Sequence, residues 1–315
     1  MDDVAVGGSG TGGAAEPEFD EEWYLGKYSQ VQDLIIEGKF TSARQHYVVT
    51  GRDQGWLPRR PPGDNTRFAP PQREFVTQPS ILRLLRMIAP QSCPVPKVRV
   101  GQPSDGGYVI NNDFVGISGV VSLGIGNEAS FDAEFADAGV PVFQYDPTVD
   151  GPPYKHPNCA FHKLGWGARN DDKSRTLDAI LDEHQLRDTG DLLLKFDVEY
   201  AEWEALAATS SETLSHFRII VGEFHGFGRM TQPAVFDAMS RVFSLLSETH
   251  AVTHIHGNNH AAMVVVMGVA VPHLMEISFL RRDRSVFTPS CEPIPGPLDY
   301  PNNPVLPDLV VTPFR

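Results

Sequence analysis

The sequence predicts an α/β fold: a Rossmann-like seven-stranded, mostly parallel sheet with helices on both faces, preceded by a small helical appendage. The first observation behind this prediction is that short apolar runs alternate with helix-period segments between residues 120 and 280. The second is a glycine turn, SLGIG at residues 122–126, between a predicted strand and a predicted helix. The third is Asp146, an acidic residue that ends the next strand about 20 residues further on.

Each element is assigned in chain order from its apolar run and from the residues that end it. The predicted strands cover residues 120–123, 140–145, 159–164, 192–196, 219–224, 252–256 and 273–280. The predicted helices between them cover residues 131–138, 177–186 and 234–246. Sheets of this kind bind ligands beyond the carboxyl ends of their strands, where the strand order reverses, so we expect the chemistry at that edge.

The rest of the sequence divides by composition into parts with different expected structures. Glycine and serine dominate the beginning, helical spacing follows, and proline and arginine are frequent before the main domain. The predicted parts are a flexible tail (1–18), a module of two short helices (19–58), a linker with a short helix (59–97), the Rossmann-like domain (98–287) and a proline-rich segment that packs on it (288–315).

Composition and charge argue against several classes of partner. With 26 Lys and Arg against 40 Asp and Glu, the net charge of −14 repels the phosphates of nucleic acids and anionic lipids. The sequence has no apolar run of about 18 residues, so no membrane span is expected, and its acidic, glycine-rich beginning does not resemble a secretory signal. Cys93, Cys159 and Cys291 form neither a disulfide framework nor a zinc motif, which favours a cytoplasmic location. A homo-oligomer is compatible with this composition.

The glycine turn and Asp146 favour a nucleoside cofactor that has no pyrophosphate. Glycines let the backbone approach a ligand, and an acid at the end of the next strand grips ribose hydroxyls. A dinucleotide fold needs a third glycine at the helix start, whereas Glu128 and Asp132 would repel a pyrophosphate here. A cofactor with a ribose and a sulfonium fits better. In the competing interpretation, Gly124 and Gly126 only turn the chain and Asp146 caps a helix.

Several motifs in the same order resemble those of the FkbM-type S-adenosylmethionine-dependent methyltransferases, over residues 99–315. They are RVG at 99–101, DGGYV at 105–109, SLGIG at 122–126, YDPT at 145–148, LKFDVEYAEW at 194–203, EFH at 223–225, HIHGNN at 254–259 and PLDYPN at 297–302. The resemblance implies a Rossmann-like fold, S-adenosylmethionine as cofactor, and methyl transfer to hydroxyls of sugars, glycans or polyketides. One position departs from the family pattern D-x-E-G-A-E, because Tyr200 replaces its glycine. An identical copy of the family's pocket is therefore not expected there.

On this basis we expect the cofactor to contact several separate parts of the chain. The turn at residues 105–108, before the first strand, would reach the methionine end of the cofactor, and Arg99 would lie near the cofactor carboxylate. Alternatively, residues 105–108 form an ordinary Asp-Gly turn. Trp166 would stack on the adenine, or would only pack in the core. The expected cofactor-binding residues are Arg99, Asp105, Tyr108, Ser122, Leu123, Gly124, Gly126, Asp146, Trp166 and Asp197.

Acidic and imidazole side chains follow three of the predicted strands, where methyl transfer to a hydroxyl would need a base. Within each pair the residues are i and i+2, so in extended chain both side chains face the same way. The pairs are Asp197 and Glu199, Glu223 and His225, and His254 and His256.

Three hypotheses assign roles to these residues. In the first, Asp197, Glu223 and His254 bind Mg²⁺ or another divalent cation, which lowers the pKa of the acceptor hydroxyl. His256 then accepts the proton. In the second, no metal is needed, and His256 or His225 is the base, oriented by Asp197. In the third, these groups only hydrogen-bond to one another beneath the cofactor. The expected catalytic residues are His256, His225 and Glu199.

The leading prediction is an O-methyltransferase that acts on a hydroxyl of a sugar, glycan or glycosylated product, either a small molecule or an oligosaccharide. Sugars are favoured because residues 19–58 resemble a small module found beside glycan-related enzymes, on positions that include Tyr24 and His46. Asn258 and Asn259 would bind substrate hydroxyls or only shape a turn. The alternatives are methylation of a polyketide or other small secondary metabolite, a dinucleotide-dependent oxidoreductase or epimerase, and a non-catalytic cofactor-binding relative.

Overall fold

The computed structural model describes most of the 315-residue chain, namely residues 19–20, 23–24, 27–28, 31, 34, 39–40, 42–59, 61, 76–312 and 314. Contacts between residues divide the chain into two compact units, residues 1–70 and residues 71–315. The predicted flexible tail over residues 1–18 lies outside the described residues. Among the helices that are described, none has the length and apolar character needed to cross a membrane.

The first unit has a core of aromatic side chains. Tyr28 and Trp56 stack with ring centroids 4.3 Å apart. The hydroxyl of the fully buried Tyr24 lies 3.0 Å from Nδ1 of His46. The described helical segments of this unit include α1 (Ala43–His46), which leads directly into a π-helical turn (Tyr47–Gly51).

In the second unit, strands and helices alternate along the chain. In chain order the strands are β1 (Gln91–Ser92), β2 (Lys97–Val100), β3 (Tyr108–Asn111), β4 (Ile117–Leu123), β5 (Val142–Tyr145), β6 (Cys159–His162), β7 (Gly165–Trp166), β8 (Ser174–Arg175), β9 (Asp191–Phe196), β10 (Phe217–His225), β11 (His250–Gly257), β12 (Met263–Val266), β13 (Val269–Pro272), β14 (Leu274–Arg281) and β15 (Thr288–Pro289). The α-helices are α2 (Gln78–Met87), α3 (Ser130–Asp137), α4 (Leu177–Glu183), α5 (Glu202–Ala207), α6 (Ser211–Ser215) and α7 (Pro233–Thr249).

Seven of these strands form one sheet, in the spatial order β11-β14-β10-β9-β4-β5-β6. The pairings from β10 to β6 are parallel, whereas β14 runs antiparallel to both β10 and β11. The predicted Rossmann-like, mostly parallel sheet is therefore confirmed. The chain moves outward from β4 to β5 and β6 and then returns to the other side of β4 as β9. The strand order thus reverses between β4 and β9, where such folds bind their ligands.

Helices cover both faces of this sheet because its strands are apolar on both sides. Leu192 and Leu194 of β9 belong to one hydrophobic core, which α7 also enters. Leu193, between them, belongs to a second core together with Phe131 of α3. The buried residues of α7 recur at helical spacing and are Met239, Val242, Phe243 and Leu246.

The proline-rich segment, as far as it is described, lies in the second unit and supplies polar side chains to the main sheet. β15 pairs with β1, and the N–H of Val311 donates to the carbonyl of Ile294 (3.0 Å). The side chains of this segment that contact residues of β11 or β14 include Asp299, Asn302 and Asp308. The proline-rich segment therefore helps to position polar side chains of β11 and β14.

Candidate active site

A cavity of about 320 Å³ opens at the carboxyl ends of β4, β5 and β9, beside the point where the strand order reverses. This volume is near the lower limit for small-molecule sites, about 300 Å³. Most residues expected to bind the cofactor lie in its wall, whereas Arg99, Ser122 and Leu123 do not. The lining residues are Asp105, Gly106, Tyr108, Gly124, Ile125, Gly126, Asn127, Glu128, Tyr145, Asp146, Pro147, Thr148, Gly165, Trp166, Lys195, Asp197, Val198, Glu199 and Ala201.

Gly124 makes the turn from β4 into the cavity wall. Its φ of +73° lies in the left-handed region, and a Cβ atom there would lie 1.7 Å from the carbonyl oxygen of Asp197. The main chain of Asp197 is held close because its N–H donates to the carbonyl of Leu123 (2.8 Å). A glycine is therefore required where the loops after β4 and β9 meet.

Asp146 lines the cavity at the end of β5, but donors from the protein already occupy its carboxylate. Oδ2 accepts from the main-chain N–H groups of Ile125 (2.9 Å) and Gly126 (2.8 Å). Oδ1 accepts from the N–H and the hydroxyl of Thr148 (2.7 and 2.6 Å). Burial raises the pKa of Asp146, but the hydrogen bonds from Thr148 and the main chain outweigh burial and lower the pKa below its usual value. The carboxylate thus shapes the glycine turn, and its expected contact with a ribose stays a prediction.

Three side chains expected to bind the cofactor lie outside the cavity wall. The guanidinium of Arg99 donates through Nε to the carbonyl of Gln102 (2.9 Å) and through Nη2 to that of Ser104 (2.7 Å). It therefore braces the turn before β3 instead of facing the cavity. Ser122 and Leu123 are fully buried within β4, because they belong to the strand and not to the turn that follows it. None of the three lines the described cavity wall, and their contact with a cofactor stays a prediction.

The two carboxylates near the start of α3 differ in their surroundings. Asp132 is buried and accepts a hydrogen bond from Nε2 of Gln144 (2.6 Å), and its pKa is raised, chiefly by burial. Glu128 lines the cavity, and its Oε1 accepts from the N–H of Ser130 (2.7 Å). Of these two carboxylates, Glu128 is the one that lines the cavity and would repel a pyrophosphate there.

Lys195 is a cavity residue that sequence reasoning did not select. It lies on β9 and is only 6% exposed. Its ammonium donates to the carbonyl of Gly124 and lies 5.9 Å from the ring centroid of Tyr108. The sequence did contain a signal, since this lysine interrupts an otherwise apolar strand core, LLLKF.

Polar atoms in the cavity wall lack hydrogen-bond partners within the described part of the chain. They include the hydroxyl of Tyr108, Nε1 of Trp166 and Oδ1 of Asp197. Buried polar atoms of this kind cost free energy unless a ligand or water satisfies them. The wall therefore fits a ligand that has both hydrogen-bond donors and acceptors, and S-adenosylmethionine is such a ligand. Trp166 also packs on Phe196, with 5.4 Å between ring centroids, so it belongs to the core and to the cavity wall at once.

His225 ends β10, with its ring held from one side by a buried carboxylate. Nδ1 lies 3.2 Å from Oε1 of Glu202, which also accepts the main-chain N–H of His225 (2.8 Å). Nε2 faces the opposite way, 3.4 Å from Glu199 and 3.8 Å from Glu223. With a proton on Nδ1, the ring of His225 would donate to Glu202, and Nε2 would remain directed at the acids.

Asp197, Glu223 and His225 could hold a metal ion, because one ligand atom from each lies within 4.8 Å of the others. Burial, followed by the charges of Asp197 and Glu276, raises the pKa of Glu223 well above its usual value. Burial likewise raises the pKa of Asp197 despite neighbouring cations. Burial lowers the pKa of His225, but the hydrogen bond and charge of Glu202 outweigh it, and the pKa is raised. The crowding of buried carboxylates favours a cation at this point.

A second acidic group consists of Asp105, Glu223 and Glu276. Nδ2 of Asn258 donates to Oε1 of Glu223 (2.9 Å). Nδ2 of Asn302 donates to Asp105 (3.1 Å) and to Glu276. Glu223 and Glu276 are direct cross-strand partners, and like charges in such a pair repel. Amide donors already compensate these carboxylates, so this group is less suited to a metal than the first one.

His256, expected to be the base, is engaged at both ring nitrogens. Nδ1 lies 3.1 Å from Glu276, and Nε2 lies 3.0 and 3.1 Å from the two oxygens of Asp308. Burial lowers the pKa of His256, but the hydrogen bonds to Asp308 and Glu276 outweigh burial and raise the pKa to about 10. Carboxylates of the protein thus engage both ring nitrogens, and the role of His256 as a base stays a prediction.

His254, expected to bind a metal with Asp197 and Glu223, belongs to neither acidic group of the described residues. Its Nε2 lies 2.7 Å from Oδ1 of Asp299, and its Nδ1 lies 3.5 Å from Nζ of Lys97. The ring is held between side chains of two other segments, and His225 is the imidazole near the two acids. We therefore replace His254 by His225 in the candidate metal site.

Asn258 and Asn259, considered for substrate binding, both serve the protein. Besides its bond to Glu223, Asn258 accepts the N–H of His260 through Oδ1 (2.9 Å). Asn259 exchanges two hydrogen bonds with the main chain of Asn303 (3.0 and 2.7 Å). The structure thus agrees with the interpretation in which these residues shape the turn after β11.

Tyr200, which stands where the related pattern has glycine, keeps a backbone conformation that favours glycine. Its φ is +75° and that of Glu199 is +50°, both in the left-handed region. The ring of Tyr200 lies 5.0 Å from that of His225, and its hydroxyl lies 3.3 Å from Nε2 of His273. The added bulk therefore lies beside His225, and Tyr200 is not among the residues of the described cavity wall.

Comparison with known proteins identifies a methyltransferase segment in this chain. Residues 121–251 match the family described as methyltransferase FkbM domain. None of the curated proteins matches the sequence. Among solved structures, the chain is similar to a TehB-like SAM-dependent methyltransferase from Corynebacterium glutamicum ATCC 13032 Kitasato, at 14% identity, covering 64% of this chain and 88% of that chain, with a TM-score of 0.29.

The matched segment contains several residues that line the cavity and all three residues of the first acidic group. Gly124, Asp146, Lys195, Asp197 and His225 all fall within it. The resemblance that the motifs suggested is thereby confirmed over residues 121–251, and the sheet order agrees with it. Residues 121–251 of the chain thus resemble the methyltransferase FkbM domain.

Proposed function

We propose that this chain is an S-adenosylmethionine-dependent methyltransferase that acts on a hydroxyl of a sugar, glycan or glycosylated product, assisted by a divalent cation at Asp197, Glu223 and His225. One observation carries the proposal: Asp197 lines the cofactor cavity and also belongs to the acidic group formed with Glu223 and His225. A methyl donor in the cavity and an acceptor at the acidic group would therefore meet at this residue.

The ligand set suits a hard cation such as Mg²⁺. Asp197 and Glu223 supply carboxylate oxygens, and His225 supplies an imidazole nitrogen. Glu202 holds Nδ1 of His225 in the way that outer carboxylates orient metal-binding histidines. When bound, the cation would lower the pKa of a coordinated acceptor hydroxyl.

Glu199 is the residue that we assign as proton acceptor, in place of His256. Its side chain is 81% exposed, it lines the cavity, and its Oε2 lies 3.4 Å from Nε2 of His225. An exposed carboxylate at this position can take a proton from the acceptor and release it to water. Without a cation, Nε2 of His225, backed by Glu202, would itself be the base. The two versions differ in their response to metal removal.

The part of the cavity wall formed by Asp105 and Glu199 favours, as methyl acceptor, a neutral molecule with several hydroxyls. The side chains of Asp105 and Glu199 are 54% and 81% exposed and can accept hydrogen bonds from the hydroxyls of a sugar. The same carboxylates repel phosphate groups. An apolar polyketide surface would desolvate them without offering donors in return. These features support a glycosylated acceptor over an apolar one.

Transfer of labelled methyl groups from S-adenosylmethionine to a panel of acceptors tests the proposal. The panel contains glycosides, oligosaccharides and a polyketide lactone, each assayed with Mg²⁺ and after treatment with EDTA. We expect label on a glycoside or oligosaccharide, loss of most turnover with EDTA, and recovery when Mg²⁺ is restored.

Asp197→Asn should abolish turnover, while Asp237→Asn, on the exposed face of α7, should not change it. Label found only on the polyketide would contradict the sugar assignment. Full turnover after EDTA would remove the cation from the proposal and assign the proton transfer to His225. Failure of S-adenosylhomocysteine to bind would contradict the cofactor site itself.

A further inference from the structure

The charges in the wall of the cofactor cavity are strongly unequal. Among the described residues that line it, the carboxylates belong to Asp105, Glu128, Asp146, Asp197 and Glu199. The cationic side chain among the same lining residues is that of Lys195. S-Adenosylmethionine carries a sulfonium and an ammonium, which suit an acidic wall, but it also carries a carboxylate, which does not. Since like charges in a poorly solvated cavity repel, that carboxylate needs a cation beside it.

We infer that Lys195 binds the methionine carboxylate of the cofactor, a role that the sequence suggested for Arg99. This inference rests on the cofactor site and is independent of the identity of the acceptor. Arg99 is less suited because it does not line the cavity and its Nε and Nη2 donate to the carbonyls of Gln102 and Ser104. Its Nη1 is buried and has no hydrogen-bond partner among the described residues. Lys195 does line the cavity, and its ammonium is the cation among the described lining residues.

The surroundings of Lys195 hold its ammonium in place while leaving donors for a ligand. One N–H donates to the carbonyl of Gly124, and the ammonium lies over the ring of Tyr108, 5.9 Å from the centroid. An ammonium has three donors, and the described residues supply an acceptor for one of them. The hydroxyl of Tyr108, which also lines the cavity, lacks a hydrogen-bond partner among the described residues. A carboxylate bound here could accept from both groups.

A purely structural role for Lys195 makes a different prediction. Its charge acts on Asp132 and Asp197, lowering the pKa of each against the effect of burial, and its hydrogen bond supports the turn at Gly124. If that were its whole role, removing the lysine would weaken every ligand of the cavity to the same extent. A contact with the cofactor carboxylate would weaken only those ligands that carry the carboxylate.

Calorimetry with two ligands and two proteins separates these roles. The ligands are S-adenosylhomocysteine and its decarboxylated analogue, which retains the amine and the thioether. We expect the wild-type chain to bind S-adenosylhomocysteine about 10- to 100-fold more tightly than the analogue, the range for charged hydrogen bonds. In Lys195→Met most of this preference should disappear, through weaker binding of S-adenosylhomocysteine and nearly unchanged binding of the analogue. Lys97→Met, a lysine of β2 paired with Glu292, is the matched control and should keep the preference.

Equal affinity of the wild-type chain for both ligands would overturn the inference without any variant. Equal weakening of both ligands in Lys195→Met would also overturn it, in favour of the structural role. If Lys195→Met does not fold, Lys195→Arg provides the test, because it keeps the charge and should keep at least part of the preference for the carboxylate. Absence of binding of either ligand to the wild-type chain would instead contradict the cofactor site.

Discussion

The orientation of His225 by Glu202 can be tested by removing the charge of Glu202 while keeping its shape. In Glu202→Gln, the side-chain oxygen can still accept from the main-chain N–H and from Nδ1 of His225, which lie 2.8 and 3.2 Å away. The amide nitrogen then takes the position of Oε2, which has no hydrogen-bond partner among the described residues. The substitution therefore removes a negative charge behind the imidazole and buries an unpaired donor.

Two effects of different size follow from this change. Loss of an outer carboxylate behind a metal-bound histidine weakens metal affinity by about 10- to 100-fold. A buried donor without an acceptor costs about 1–3 kcal/mol of folding free energy. Affinity for S-adenosylhomocysteine should be almost unchanged, because Glu202 is not among the described residues that line the cavity. The expected signature is thus a selective loss of metal binding in a folded, somewhat less stable protein.

Titration with Mn²⁺, followed by electron paramagnetic resonance, measures the metal affinity, and urea unfolding measures the stability. Glu204→Gln is the matched control, since Glu204 lies two positions further on in α5 and is exposed. The reasoning would be refuted if Glu202→Gln bound Mn²⁺ as tightly as the wild-type chain while retaining its fold. In that case Glu202 would not act on a metal through His225.

Two further predictions concern the glycine turn and a buried histidine. Gly124→Ala should weaken S-adenosylhomocysteine binding by tenfold or more, about 1.4 kcal/mol, because its Cβ would overlap the carbonyl of Asp197. Calorimetry should show a smaller loss for Gly126→Ala, which also has a positive φ but open space around a Cβ. Burial lowers the pKa of His250 from 6.5 to about 4, so its neutral form stabilises the fold fully above pH 6.5 and that stabilisation is lost as the pH falls toward 4. Single-site linkage puts this loss at no more than about 3 kcal/mol, and urea unfolding should show it reduced in His250→Gln; equal pH dependence of the two proteins would contradict the assignment.

The main sheet could be predicted from the sequence because its signals are local. An apolar run such as that of β4, and the helical spacing of α7, depend on residues near one another in the chain. The short pairs β2–β3 and β12–β13 escaped prediction because strands of four residues carry too little pattern to separate them from loops. The helices α5 and α6 were missed for a similar reason, since each is shorter than two full turns.

The candidate site was only partly predictable, because which imidazole meets which acid depends on contacts between distant segments. All three strand-end histidines look equivalent in sequence. Asp299 and Asp308 of the proline-rich segment engage His254 and His256, which leaves His225 for the central acids. No local pattern shows those pairings, because the partners lie 45 and 52 residues apart.

The strained backbone at residues 199–200 explains how Glu199 comes to lie beside His225. Left-handed conformations cost L-residues about 1–2 kcal/mol each, and such strain persists only where surrounding contacts enforce it. Here the ring of Tyr200 contacts that of His225, its hydroxyl lies 3.3 Å from His273, and the carboxylate of Glu199 lies 3.4 Å from Nε2 of His225. The contacts of Tyr200 therefore hold the turn in this conformation. They thereby position the exposed carboxylate of Glu199, to which we assign the proton transfer.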